Sequence, residues 1–238
     1  MKTSHKVLIC ASCAAELGGA RSVNPQLDNI KNGEIRPLNG MADVLILGVG
    51  IFQSGYNIAR ALITGNYRLV IAAGIAGAYS SDIRLGDTYM VYSNAFADCA
   101  TEDEDGGMEP VVGSRFLPKD TPPFSNGHIL SPISRSLATK LGIGCVRANT
   151  VNRIRTSRQD IGEILRLYPA ELETMESAAI AYTCAMEGVG YAEIRSVSNH
   201  TVPKREQKWN FAESTAKLGA IIDKILDGDC KILEEYLE

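Results

Sequence analysis

The sequence predicts an α/β fold in which helices cover a mostly parallel sheet. Short apolar runs pass repeatedly through glycine into segments of helical periodicity, and one run is apolar at almost every position, as a strand covered on both faces must be. A chain of 238 residues lies near the upper end of what one hydrophobic core supports, so a single domain spanning 1–238 is expected.

Lys6–Ala11 is the first strand-like run. Asp43–Leu47 is the second, and it leads through Gly48-Val49-Gly50 into a helix with Ile58, Ala59 and Leu62 on one face, stopped at Gly65. Leu69–Ala73 is the all-apolar central strand and runs into Gly74-Ile75-Ala76-Gly77. After Gly86-Asp87, Thr88–Tyr92 again reads as strand. The stretch from Asp98 to Gly127, acidic and rich in Gly and Pro, is long enough to read as a functional loop.

From Ser157 a short helix turns Ile161, Ile164 and Leu165 inward and ends near Pro169. In the next helix Met175, Ala178, Ala179, Tyr182, Ala185 and Met186 share a stripe, Glu176 stands beside it, and Gly188 closes it. Tyr191–Ser198 is the last predicted strand. Beyond the polar loop His200–Trp209, Asn210 with Glu213 caps a helix that buries Leu218, Ile221, Ile222 and Ile225.

Composition narrows the function. A net charge of -4 gives no electrostatic footprint for nucleic acid. Met1–His5 lacks the layout of a signal peptide and no apolar run approaches the roughly 18–20 residues that span a bilayer, so a cytoplasmic protein with no membrane partner is expected. Six scattered cysteines form no disulfide framework, and Cys10-Ala-Ser-Cys13 has no second ligand pair at zinc spacing, so no metal is expected. The glycines at 48, 50 and 55 depart from G-x-G-x-x-G and lack an acid about 20 residues on, which favours a tight turn over a dinucleotide site. No cofactor is expected.

Glu16, Glu176 and Asn199 fall at or just beyond the carboxyl ends of predicted strands, or at the adjoining helix start, where a parallel sheet places its ligand groups. Singly, each such residue is more often a solvated surface group or a cap than a functional one.

Their context resembles a known family. Gly74-Ile75-Ala76-Gly77-Ala78 with Leu85-Gly86-Asp87, the segment Met175-Glu176-Ser177-Ala178-Ala179, and Arg195-Ser196-Val197-Ser198-Asn199 are together similar to the nucleoside phosphorylase and nucleosidase superfamily, over Val7 to about Leu226. Within it, Phe96-Ala97-Asp98-Cys99-Ala100-Thr101-Glu102-Asp103-Glu104-Asp105-Gly106 and Thr150-Val151-Asn152 resemble the futalosine hydrolases. The resemblance implies a three-layer α/β/α arrangement, phosphorylase/hydrolase-like, with a twisted, mostly parallel central sheet. It also implies a homo-oligomer that releases a purine from a nucleoside.

The resemblance implies roles as well. Glu16 sits where related nucleosidases carry the carboxylate that orients and deprotonates water. Glu176 matches the acid that accepts from the ribose hydroxyls, Met175 the thioether against the sugar, and Asn199 the group facing the purine edge. Ile75, Ala76 and Gly77, with Asn152 and Ile154, complete the implied binding set.

These residue types suit N-ribosidic cleavage, which builds positive charge on the sugar and negative charge on the base. A carboxylate beside the ribose stabilises the first, and a second carboxylate can act as general base. An asparagine offers one acceptor and one amide donor, matching a protonated N7 and O6 of hypoxanthine or guanine; a 6-amino base would set donor against donor, costing about 1–3 kcal/mol.

Ala11–Gly19 and Gly74–Ser80 contain no Arg or Lys, and Ile75 stands where phosphate binders carry a hydroxyl, so water is favoured over phosphate as nucleophile. Arg153, Arg155, Lys204 and Arg205 are candidates for a substrate carboxylate. A purine nucleoside phosphorylase, a methylthioadenosine/S-adenosylhomocysteine nucleosidase and a non-catalytic nucleoside sensor on the same fold remain the alternatives.

Overall fold

In the computed structural model, residues 6–102, 104, 107–203 and 206–237 are described, Asp229 by its backbone alone. Met1–His5, Lys204, Arg205 and the signature residues Asp103, Asp105 and Gly106 lie outside the described residues. The chain begins with β1 (Lys6–Ala11), α1 (Ala14–Leu17), β2 (Ile35–Pro37), β3 (Ala42–Ile46), α2 (Gly50–Thr64) and β4 (Tyr67–Ala78). It continues through β5 (Thr88–Phe96), the short hairpin β6 (Ala100–Glu102) and β7 (Met108–Pro110), β8 (Ile129–Leu130), α3 (Pro132–Leu141) and β9 (Gly144–Thr150). The last elements are α4 (Arg158–Leu167), β10 (Leu172–Thr174), α5 (Ser177–Met186), β11 (Gly190–His200) and α6 (Phe211–Cys230).

Alternation along the strands creates the layers. Val7 and Ile9 of β1, with Leu69 and Ile71 of β4, face one core completed by Leu137 of α3 and Leu218 and Ile222 of α6. Leu8 and Cys10, with Val70 and Ala72, face the opposite core against Ile58 and Leu62 of α2 and Ile180 and Cys184 of α5. The three-layer α/β/α arrangement therefore follows from period-2 burial in strands that are apolar on both faces.

The nine-stranded sheet runs β10-β9-β5-β11-β4-β1-β3-β2, with β8 beside β5. The pairs β1–β3, β1–β4, β4–β11, β5–β9 and β9–β10 are parallel. β10 also pairs antiparallel with β4, through Leu172 with Ala78 and Glu173 with Gly77. That second pairing closes β4, β11, β5, β9 and β10 into a ring around Ala76, Ala78, Val91, Ala148, Leu172 and Val197.

Strand β4 runs 12 residues, well past the predicted end at Ala73. Glycine normally weakens a strand, so Gly74 and Gly77 read as its end. Here they are the points where side chains from neighbouring elements approach the backbone. A Cβ on Gly74 would run into the guanidinium of Arg195 and lie 2.7 Å from Glu16 Oε1, and one on Gly77 would lie 2.7 Å from Thr201 Oγ1.

The helix at 177–186 corrects the predicted stripe. Ala178, Ala179, Ile180, Ala181 and Cys184 are buried, whereas Tyr182 and Met186 are 37% and 56% exposed and Met175 precedes the helix. A helix apolar nearly all round has no polar face from which periodicity can select the buried one. The cap expected at Asn210 is present, accepting from Glu213 N–H, and the helix that starts after Ser157 is capped by that residue, which accepts from Asp160 N–H. The 98–127 excursion packs Val112 and Phe124 against the core containing α2 and α5.

Candidate active site

The carboxyl ends of parallel β1, β4 and β11 open onto a cavity of about 230 Å³. Glu16, Ile75, Ala76, Gly77, Ile154, Met175, Glu176 and Asn199 all line it. Asn152, placed by the resemblance in the binding set, does not: its side chain and backbone N–H both donate to Asp98, at 3.2 and 2.7 Å. Asp98 also accepts from Arg153 N–H and from Arg155 Nη1. The Phe-Ala-Asp carboxylate thus pins the 152–155 loop, which presents Ile154 to the cavity.

Glu16 lies in the four-residue helix α1 and folds back toward the end of β1. Its Oε2 accepts from the N–H groups of Ser12 and Cys13, at 2.9 and 3.2 Å, and from the Ser12 hydroxyl, while Oε1 accepts from Ile75 N–H at 2.9 Å. Three backbone donors from two strand ends hold one buried carboxylate in a single orientation, which is the compensation a buried charge requires.

Glu176 is the residue that enters α5. Its Oε1 accepts from Gly50 N–H at 2.8 Å, and Gly50 adopts φ +85°, a conformation that favours glycine. The loop that resembles a dinucleotide turn therefore aims a backbone amide at a carboxylate. Burial raises the pKa of Glu176, and Glu16 raises it further, against the opposing pull of Arg195 and the Gly50 amide.

Behind the two carboxylates lies a network of Arg195, Ser177 and Glu193, residues to which the motifs attach no role. Arg195 is 2% exposed; its Nε donates to Glu193 Oε1 at 2.7 Å, its Nη2 to Ser177 Oγ at 2.9 Å, and Ser177 in turn donates to Glu193. Glu193 Oε2 also accepts from Asn94 and Tyr191. Burial works against the Arg195 charge, but Glu193, Glu16 and Glu176 together outweigh it and hold the guanidinium above its ordinary pKa. Charges at positions 193 and 195, two residues apart and so on one face of a strand, are the sequence signal for this network.

At the end of β11, Ser198 Oγ lies 2.9 Å from Asn199 Oδ1, and Asn199 Nδ2 donates to His200 C=O at 3.3 Å. One acceptor site and one N–H of the Asn199 amide are left for a ligand. Glu173, Thr174, Trp209 and Phe211 also line the cavity without being singled out by the sequence. Glu173 is 7% exposed, accepts from the Tyr79 hydroxyl at 3.0 Å, and has its pKa pushed up to about 7 by burial, against the opposing effects of Tyr79 and Arg155.

The cations considered for a substrate carboxylate are distributed unevenly. Arg153 is exposed, Arg155 is buried and paired with Asp98 at 3.4 Å, and neither lines the cavity. Cys10 is fully buried with its pKa pushed up to about 12 by burial, and burial also raises Cys13, so this pair does not form the low-pKa thiolate of redox chemistry. Among the described residues no group of three or more His, Cys, Asp and Glu is placed to hold a metal ion.

Comparison with known proteins bears on the family and the fold. The family model of the phosphorylase superfamily matches residues 44–227. The chain is 25% identical to futalosine hydrolase of Thermus thermophilus, covering 80% of this chain and 84% of that one. It is 29% identical to futalosine hydrolase of Acidothermus cellulolyticus, covering 90% and 88%. Among solved structures, a futalosine hydrolase mutant of Helicobacter pylori shares the fold at TM-score 0.70 and 17% identity, over 94% of this chain and 99% of the other. The 5'-methylthioadenosine/S-adenosylhomocysteine nucleosidase of Neisseria meningitidis does so at TM-score 0.69 and 19% identity, over 92% and 99%. A family model spanning most of the chain, on a sheet whose strand ends gather Glu16, Glu176 and Asn199, identifies the protein as a member of the phosphorylase superfamily.

Proposed function

We propose that this protein is a futalosine hydrolase, an N-glycosyl hydrolase that cleaves futalosine to hypoxanthine and dehypoxanthine futalosine in menaquinone biosynthesis. One observation carries the reading at the site: two buried carboxylates and an asparagine with one free acceptor and one free donor share a single cavity. Three curated futalosine hydrolases related to most of the chain support the substrate.

In the proposed reaction Glu16 takes a proton from a water whose oxygen bonds to C1′ as the C1′–N9 bond breaks. Glu176 accepts from the ribose hydroxyls and stabilises the oxocarbenium-like sugar. The departing base takes a proton from solvent at N7. Asn199 Oδ1 accepts that N7–H while Nδ2 donates to O6, and Met175 packs on the sugar. The charges of Glu16 and Glu176 are offset from behind by Arg195, which does not line the cavity. Among the described residues no Lys or Arg lines the cavity, in keeping with water rather than a phosphate dianion as nucleophile. Arg153, on the loop that presents Ile154, remains the described candidate for the far carboxylate of the substrate.

The proposed compartment is the cytoplasm, where buried free thiols such as Cys10 and Cys184 persist. Among the described residues no helix is long and apolar enough to cross a membrane. The proposed state is a homo-oligomer that covers the apolar face formed by Val49, Phe52, Tyr56 and Ile63 of the α2 region with Tyr182 and Met186 of α5.

The deciding experiment incubates the protein with futalosine, inosine and methylthioadenosine, with and without phosphate, and follows base release. Hypoxanthine from futalosine, independent of phosphate, is expected. Phosphate-dependent cleavage of inosine, or release of adenine, overturns the reading.

A further inference from the structure

One buried carboxylate in the cavity has no part in the chemistry above. In the sheet register Asn149 of β9 pairs with Glu173 of β10, Glu173 pairs with Gly77 of β4, and Gly77 pairs with Asn199 of β11. Residues in register on adjacent strands project to the same face. Glu173 and Asn199 therefore flank Gly77, and all three line the cavity. Because residue 77 has no side chain, the Asn199 amide can close in on the strand backbone there: a Cβ would lie 3.3 Å from Asn199 Nδ2 and 2.7 Å from Thr201 Oγ1.

Two hydrogen-bonding groups on either side of a bare backbone position form a clamp for the edge of a flat ring. Asn199 presents a donor and an acceptor; Glu173 adds an acceptor on the other side. A 6-oxopurine carries, next to O6, a ring N–H at N1. Unsubstituted and 6-amino purines carry a lone pair there instead.

We propose that Glu173 is a specificity-determining residue of the base subsite, its carboxylate accepting the N1–H of a 6-oxopurine across Gly77 from Asn199. The assignment rests on the hypoxanthine reading above. It explains why a carboxylate is kept at a position where burial opposes its charge: the Tyr79 hydroxyl donates to Oε2, and Arg155 partly offsets the burial. The titratable and charged groups acting on Glu173 are Tyr79 at the end of β4, Arg155 on the loop after β9 and Asp98 on the loop after β5. With its pKa at about 7, Glu173 switches between acceptor and donor near neutrality, giving the site opposite preferences for the two ring types on the two sides of that pH.

The test is calorimetric binding of two free bases, hypoxanthine and unsubstituted purine, to the full chain between about pH 5.5 and 8, a range spanning the titration. Hypoxanthine is expected to bind more tightly as pH rises through about 7, and purine less tightly, each changing roughly tenfold or more because the hydrogen bond involves a charged group or loses its donor. Glu173→Gln removes both pH dependences. Tyr79→Phe, which leaves the carboxylate in place but takes away a hydrogen bond that lowers its pKa, moves both midpoints upward. Circular dichroism confirms that each variant folds.

Parallel pH profiles for the two bases in the wild type, or opposite profiles that persist in Glu173→Gln, overturn the assignment. Futalosine turnover tests the hydrolase reading separately. Hypoxanthine release with pH-independent base binding sinks the role of Glu173 alone, whereas opposite base profiles without futalosine turnover sink the hydrolase reading alone.

Discussion

The backbone N–H of Gly50 donates to Glu176 Oε1 at 2.8 Å, joining the turn after β3 to the start of α5. Glu176 keeps this contact if its carboxylate becomes an amide, because the amide oxygen can still accept. Glu176→Gln therefore removes the charge with little change of shape. Turnover of futalosine is expected to fall about 10²–10³-fold, the scale of losing one electrostatic stabiliser of the transition state. Burial has raised the pKa of this group, so thermal stability should hold or rise. Thermal melts and steady-state kinetics on the same preparation check both halves; a variant that is fully active removes Glu176 from the mechanism.

Glu16→Gln behaves differently, because both Glu16 oxygens are occupied by donors from Ser12, Cys13 and Ile75. An amide nitrogen in place of either oxygen faces at least one N–H. The variant is expected to lose about 1–3 kcal/mol of stability in urea unfolding, from the donor left without a partner. It should also lose about 10²–10⁴ in rate, from the missing general base. If stability is unchanged, the hydrogen-bond pattern around Glu16 is not as described.

Asn199→Asp tests base selection. The carboxylate supplies two acceptors where the amide offers one acceptor and one donor, so the preference for 6-oxopurines over 6-aminopurines should shift by roughly 10–100-fold toward 6-amino. The ratio of kcat/KM for matched hypoxanthine and adenine nucleosides measures it. An unchanged ratio moves base recognition away from residue 199.

The legibility of the site follows from where its residues stand. Glu16, Glu176 and Asn199 could be named because a parallel sheet presents ligand groups at strand ends and because short motifs surround them. Glu173 stands in a three-residue strand, and only the second pairing of β10, with β4, brings it opposite Gly77 and into line with Asn199. Such a non-local pairing leaves no periodic trace. The same holds for β9, whose neighbours β5 and β10 are distant in sequence. Asn152 misled because a residue two positions from the cavity-lining Ile154 uses its side chain to hold Asp98. Helix starts were readable from local chemistry alone, as after Ser157 and at the Asn210 cap.

Glu173 should also affect stability. Its pKa is raised from 4.5 to about 7, so between those values the folded state binds more protons than the unfolded one, and stability falls as pH rises through that window. Below the window the group costs nothing. Above it, the full shift corresponds to about 3 kcal/mol as an order of magnitude. Relative to Glu173→Gln, the wild type should therefore lose melting temperature between about pH 5 and 8. Melts of both proteins across that range provide the comparison, and parallel curves would contradict the buried carboxylate.

Phe52 and Tyr56 are 85% and 66% exposed on one face of α2, and Val49 at the start of the same face also lines the cavity. Covering this face with a second copy would remove apolar area from water and bring the partner to the mouth of the site. Phe52→Lys with Tyr56→Lys places two charges in that contact, where burial without a partner is costly. Sedimentation is expected to show a wild-type oligomer and a folded, smaller species for the double variant. Because Val49 belongs to both surfaces, KM for futalosine should rise on dissociation, and the wild type should lose activity on dilution below its dissociation constant. A monomeric wild type whose activity does not depend on concentration would show that the exposed face serves another purpose.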